Sequence, residues 1–146
     1  MLRKPIFIAF LALVLTLSAC GISSQPATEI VVQETDFAYS PVTITVPLNQ
    51  SVTVVFKNTG AVEHDFVIEE INVMNLQKDD AEAQGMSGHD MGGVSDPHYD
   101  LHVSTLPGKS STIEFTPTEA GTYEFFCTVK GHLEAGMIGK LVVLVQ

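Results

Sequence analysis

Cysteine is nearly absent from this chain: its 146 residues hold two, Cys20 and Cys127. That count excludes a disulfide-stapled scaffold. Basic residues are scarce too, with seven Lys and Arg against 17 Asp and Glu, for a formal charge of −10. The deficit excludes nucleic acid as a partner, because phosphate backbones select basic surfaces. It favours instead a soluble face that repels like partners and attracts basic ones. No stretch sustains helical periodicity and no internal repeat is visible, which argues against bundles and repeat arrays. The longest apolar run, Ile6 to Leu17, falls short of the roughly 20 residues that a membrane-spanning helix needs.

That run has another use. Arg3 and Lys4 precede it and Ser18-Ala19-Cys20 follow it, the basic start, apolar middle and small-residue end of a secretory signal. Leu17-Ser18-Ala19-Cys20 resembles the bacterial lipobox, and a cysteine in that place is otherwise hard to explain. Residues 1–19 are therefore expected to be a lipoprotein signal peptide, with Cys20 acylated and residues 20–28 a flexible tether. Several acyl chains on one residue anchor firmly where a single chain holds only marginally. Loss of residues 1–19 removes Arg3 and Lys4 and no acid, so the formal charge moves from −10 to −12. The mature protein is then extracytoplasmic, periplasmic or on the outer face of the cell membrane, and bound to the membrane through Cys20. Cys127 is left as a lone thiol under oxidising conditions, where it needs protection or a task. Metal ligation supplies both.

Residues 29–146 read as one domain. Short runs rich in Val, Ile, Thr and Phe cover Glu29–Thr35, Val42–Val46, Ser51–Lys57, His64–Glu69, Ser110–Thr116, Thr122–Cys127 and Ile138–Val145. Val42–Val46 and Val52–Phe56 alternate as half-buried strands do. Pro41, Pro47, Asn58-Thr59-Gly60, Pro107-Gly108, Pro117 and Gly121 punctuate them. Strands at this spacing predict an all-β antiparallel sandwich or barrel. From about residue 72 to residue 100 the chain turns polar, an expected insertion with a short helix over Lys78–Gln84 and a mobile loop through Gly85–Gly93. Leu101–Thr105 is expected to rejoin the sheet.

The strongest chemical signal lies near the C-terminus, where Cys127, His132 and Met137 recur at equal five-residue steps. His64 opens a strand after the Asn58–Gly60 turn and supplies a second imidazole. Two imidazoles and a thiolate around copper, with a weak thioether, make a blue-copper electron-transfer site. The thiolate donates charge, the imidazoles suit both oxidation states, and the thioether favours Cu(I).

The pattern resembles that of the cupredoxins, the plastocyanin and azurin family, and its equal spacing is most similar to the auracyanins. Gly60–Ile68 resembles the family's first-histidine segment, and Gly121–Cys127 through Gly139–Val143 its ligand loop and last strand. The resemblance implies a Greek-key β-sandwich, one copper ion held by His64, Cys127, His132 and Met137, and electron transfer rather than turnover. One departure is Asp65, where many members carry asparagine. A carboxylate there is expected to accept backbone N–H bonds from the ligand loop, while its charge favours Cu(II).

Other candidates are weaker. Met86, His89 and Met91 offer soft donors for transient Cu(I), against the blander reading of a loop without a specific role. His98 and His102 stand four apart, but Asp96-Pro97 argues for a turn rather than a helical metal site. Gly131, Leu133, Ala135 and Gly136, with Ala61 and Val62, are expected to form a low-charge collar around His132.

The function expected is a small type 1 copper protein carrying single electrons between membrane-associated redox partners, as a monomer by default. The alternative is an extracytoplasmic copper-binding or delivery protein. An enzyme is not expected, because copper nitrite reductases and multicopper oxidases need further copper sites.

Overall fold

A computed structural model describes residues 28–80 and 99–146. The expected leader, Cys20, Met86, His89, Met91 and His98 lie outside those residues. Ten strands follow in order: β1 (Thr28–Thr35), β2 (Ala38–Ser40), β3 (Thr43–Pro47), β4 (Val52–Asn58), β5 (His64–Ile68), β6 (Val73–Asp79), β7 (Leu101–Thr105), β8 (Ser110–Pro117), β9 (Gly121–Phe126) and β10 (Ile138–Leu144). They form two five-stranded sheets, ordered β2-β1-β4-β8-β6 and β3-β10-β9-β5-β7. The expected all-β sandwich is thus present, and Leu101–Thr105 does rejoin a sheet as β7.

Alternation explains the packing. On β4, Val52, Val54, Phe56 and Asn58 point inward, and on β8 Ser111, Ile113 and Phe115 meet them. Strand β5 is buried at every position and lies between β7 and β9 in its sheet. An aromatic line joins the two sheets: Phe56 lies 4.7 Å from Phe66, Phe66 lies 4.9 Å from Phe125, and Tyr39 meets Phe125 edge-on at 5.0 Å. Truncating any of the three phenylalanines to alanine costs about 3–5 kcal/mol.

The structure corrects three expectations. The sandwich is not purely antiparallel, because β1 pairs in parallel with β4 and β3 in parallel with β10. Lys78 and Asp79 belong to strand β6 rather than to the start of a helix, and the rest of that segment from residue 81 lies outside the described residues. The polar insertion accordingly begins with an edge strand. A bulge between Met74 and Gln77, with Asn75 at φ 54°, turns both Val73 and Leu76 toward the core. Two inward residues three apart break the period of two by which a strand is recognised.

Candidate metal centre

His64, Cys127, His132 and Met137 come from two places in the fold. His64 opens β5, and the other three lie on the turn between β9 and β10. That turn is held by its own backbone. The Cys127 N–H donates to the Met137 carbonyl at 3.2 Å, the Met137 N–H to the His132 carbonyl at 2.9 Å, and the His132 N–H to the Val129 carbonyl at 3.0 Å. Gly131 and Gly136, directly before the candidate ligands His132 and Met137, have φ of 88° and 95°, a left-handed conformation that glycine adopts without penalty.

The donor atoms converge. His64 Nδ1 and His132 Nδ1 are 3.2 Å apart, and Cys127 Sγ is 3.4 Å from His132 Nδ1. One ligand atom from each of these three residues lies within 4.8 Å of the others. His64, Cys127 and Met137 have no exposed surface and His132 only 5%. Burial, and then the neighbouring His132, holds His64 below the ordinary histidine value. The uncharged ring, the form that can donate a lone pair to a metal, is thereby favoured. Burial pushes the Cys127 thiol up, against the opposing N–H groups of Asp65 and Val129. A thiolate in this pocket needs a cation, and a soft one that accepts nitrogen and sulfur suits the whole set. Copper fits.

Neighbouring groups fix the ligands. The Asp65 N–H lies 3.4 Å from Cys127 Sγ, a donor to the sulfur that also joins β5 to the ligand turn. The Tyr39 hydroxyl donates to the Asp65 carbonyl. The Asp65 carboxylate accepts from the Thr128 hydroxyl and from the Ser104 hydroxyl at 2.7 Å, and forms a charge pair with His102 at 3.7 Å. Its partners are thus hydroxyls and an imidazole rather than the backbone N–H groups expected from the sequence. Burial pushes the Asp65 carboxyl up, but contacts with His102, Thr128 and Ser104 outweigh it and hold the group below the usual range. His102 in turn is raised by Asp65. It stands on β7 as the partner of an acid. Ser104 and Thr128 were not legible as parts of the site, since only the β5–β7 register sets Ser104 opposite Asp65.

His64 is enclosed on its far side. Its Nε2 is buried and has no hydrogen-bond partner among the described residues. Gly60 packs against it so closely that a Cβ at Gly60 would stand 2.8 Å from that nitrogen. His132 faces the other way. Phe37 meets its ring edge-on at 5.3 Å, and Gly131, Leu133, Ala135 and Gly136 around it are exposed. Phe37, 56% exposed, was absent from the expected collar.

Comparison with known proteins follows the same line. The model of a family described as copper binding proteins, plastocyanin/azurin family, matches residues 26–144. A copper-resistant cuproprotein, CopI of Rubrivivax gelatinosus, is 33% identical over 82% of this chain and 67% of its own. Auracyanin-A of Chloroflexus aurantiacus is 30% identical over 97% of each chain. The solved structure of that auracyanin A, described as a "blue" copper protein, superposes with a TM-score of 0.58 at 27% identity, covering 82% of this chain and 100% of the other.

Proposed function

The chain belongs to the plastocyanin/azurin family of copper binding proteins, and from that premise we propose that it carries single electrons as a small type 1 copper protein, with His64, Cys127, His132 and Met137 holding the metal. One observation carries the assignment of the site: two imidazole nitrogens and a thiol sulfur meet within 4.8 Å in a buried pocket. Copper bound there supplies a one-electron couple that suits this mixed donor set.

The chain's own residues do the rest. Cys127 binds as thiolate, and the Asp65 N–H toward its sulfur offsets part of the cost of burying that charge. His64, kept neutral by burial, offers its lone pair without first losing a proton. The backbone bonds that tie Cys127, His132 and Met137 hold the turn before metal arrives, so little rearranges when an electron moves. His132 is the ligand nearest to solvent, and its edge lies among Phe37, Leu133 and small residues. A face of that size and polarity suits the brief encounters of redox proteins, which use small interfaces.

Electron donor and acceptor are redox proteins at the membrane, and acylated Cys20 keeps the domain near them on the extracytoplasmic side. The lipobox-like Leu17-Ser18-Ala19-Cys20 supports this placement. A second reading, copper delivery, draws support from the likeness to a protein named as copper-resistant. Ready transfer of copper to an apo acceptor would favour delivery, and reversible cycling without metal loss favours the carrier.

An absorption spectrum of residues 21–146 with Cu(II), before and after ascorbate, tests the assignment. An intense visible thiolate-to-copper band that bleaches, returns on oxidation and vanishes in Cys127→Ser is the expected result. A weak band indifferent to Cys127→Ser would overturn it.

A further inference from the structure

Glu34 is a buried acid for which the metal centre has no use. Its side chain continues the inward alternation of β1 after Val32, and it has no exposed surface. Neither carboxyl oxygen has a hydrogen-bond partner among the described residues. Most groups that would naturally serve are committed elsewhere. Asn58, beside it in the β1–β4 register, spends its amide on the carbonyls of Val62 and Thr105 and its oxygen on the Gly60 N–H. The Thr105 hydroxyl lies 2.5 Å from that of Ser111, either of them able to donate, so that Thr105 alone has a proton to turn toward Glu34, and the Tyr39 hydroxyl is given to the Asp65 carbonyl.

Charges around Glu34 are of one kind. Asp65 on β5, Tyr39 on β2 and Cys127 after β9 are the titratable groups that act on it or feel it, while β4, β7 and β8 present neutral Asn58, Thr105 and Ser111. No cation is among them. An ionised carboxylate in such a place is an unpaired buried charge, which proteins normally avoid by neutralisation.

We propose that Glu34 is a redox-linked proton site, so that the protein takes up one proton together with the electron it accepts. The inference rests on the copper reading of the centre. In the step, one electron passes from a reduced partner protein to the metal centre. One proton from solvent hydronium forms an O–H bond on the Glu34 carboxylate and leaves water behind. Oxidation by the acceptor reverses both transfers. The coupling is electrostatic: Asn58, beside Glu34, donates to the carbonyl of Thr105, which faces His64 in the β5–β7 register, and loss of one positive charge beside the thiolate makes a negative Glu34 less favourable. In the metal-free protein burial pushes Glu34 up to about 7, with Thr105 opposing and Asp65 adding to the rise.

The test is the reduction potential of the copper-loaded protein between about pH 5 and pH 9, either side of that value. The potential should fall as pH rises, with a slope approaching about 59 mV per pH unit, the one-electron equivalent of a tenfold change. In Glu34→Gln the thiolate-to-copper band should persist and the slope should vanish. A redox-difference infrared spectrum of the unaltered protein gives a second readout that does not depend on the folding of any variant. There, reduction should produce the carbonyl band of a protonated carboxyl group that shifts in deuterium oxide. A flat potential, a slope retained in Glu34→Gln, or no such infrared band would overturn the inference while leaving an intact copper band to support the centre. Absence of the copper band would remove the reading on which it rests.

Discussion

Two buried acids, on different strands at the same end of the sandwich, meet opposite fates. Asp65 on β5 is almost enclosed, yet Thr128, Ser104 and His102 converge on its carboxylate, and the group is held below its ordinary value. Glu34 on β1 is fully enclosed and has no such partner, and burial lifts it to about 7. Burial alone therefore does not decide whether an acid is charged. The supply of donors does: β7 and the turn after β9 bring two hydroxyls and an imidazole to Asp65, whereas the hydroxyls near Glu34 are paired with each other. The charged acid ties the turn after β9 to the sheet, and the raised one is the group proposed to answer changes in charge nearby.

That contrast breaks most sharply at Asp65. Replacing Asp65 by Ala strands three partners in a nearly buried place, and chemical denaturation of the apo protein should show a loss of about 4 kcal/mol. Asp65→Asn keeps an acceptor and should lose clearly less. Next in size is the pH profile of Glu34→Gln. The folded value of Glu34 is raised from 4.5 to about 7, so the unaltered apo protein has its full stability from this group below pH 4.5. It should lose about 3 kcal/mol as pH rises through about 7, and denaturation of Glu34→Gln should lack that loss. Asp65, shifted the other way, contributes stability above its ordinary value of 3.8 and loses it as acid protonates it. Equal pH profiles for Glu34→Gln and the unaltered protein would erase the distinction between the two acids. Smallest is Ser104→Ala, which removes one of several donors to Asp65 and should cost about 1 kcal/mol.

The sequence carried the local part of this design. Alternation on β4 and the turn residues around it were plain, and so was the even Cys127–His132–Met137 spacing, since one loop holds all three. His64 stood out through the turn before it and through resemblance. Strand β2 escaped because Tyr39 is its single buried residue between exposed Ala38 and Ser40, and β6 because its bulge spoils the alternation. Partners of Asp65 were hidden for a different reason: they sit on β7 and beyond β9, and only pairing across the sheet brings them together. Glu34 did leave a trace. Ile30, Val32 and Glu34 are spaced two apart, which puts the acid on the face of its apolar neighbours.

The parallel pairing of β1 with β4 fixes which way the molecule points. Strand β1 begins at Thr28, whose N–H donates to the Ser51 carbonyl at 3.1 Å, near where Gln50 meets Gln146. It ends beside the turn that carries Phe37 to the ring of His132. Eight residues of extended chain span about 25 Å, so the backbone enters the domain at one pole and the ligand histidine looks out from the other. If Cys20 is acylated as proposed, its anchor joins the domain at the pole opposite the His132 ring and leaves that tip uncovered.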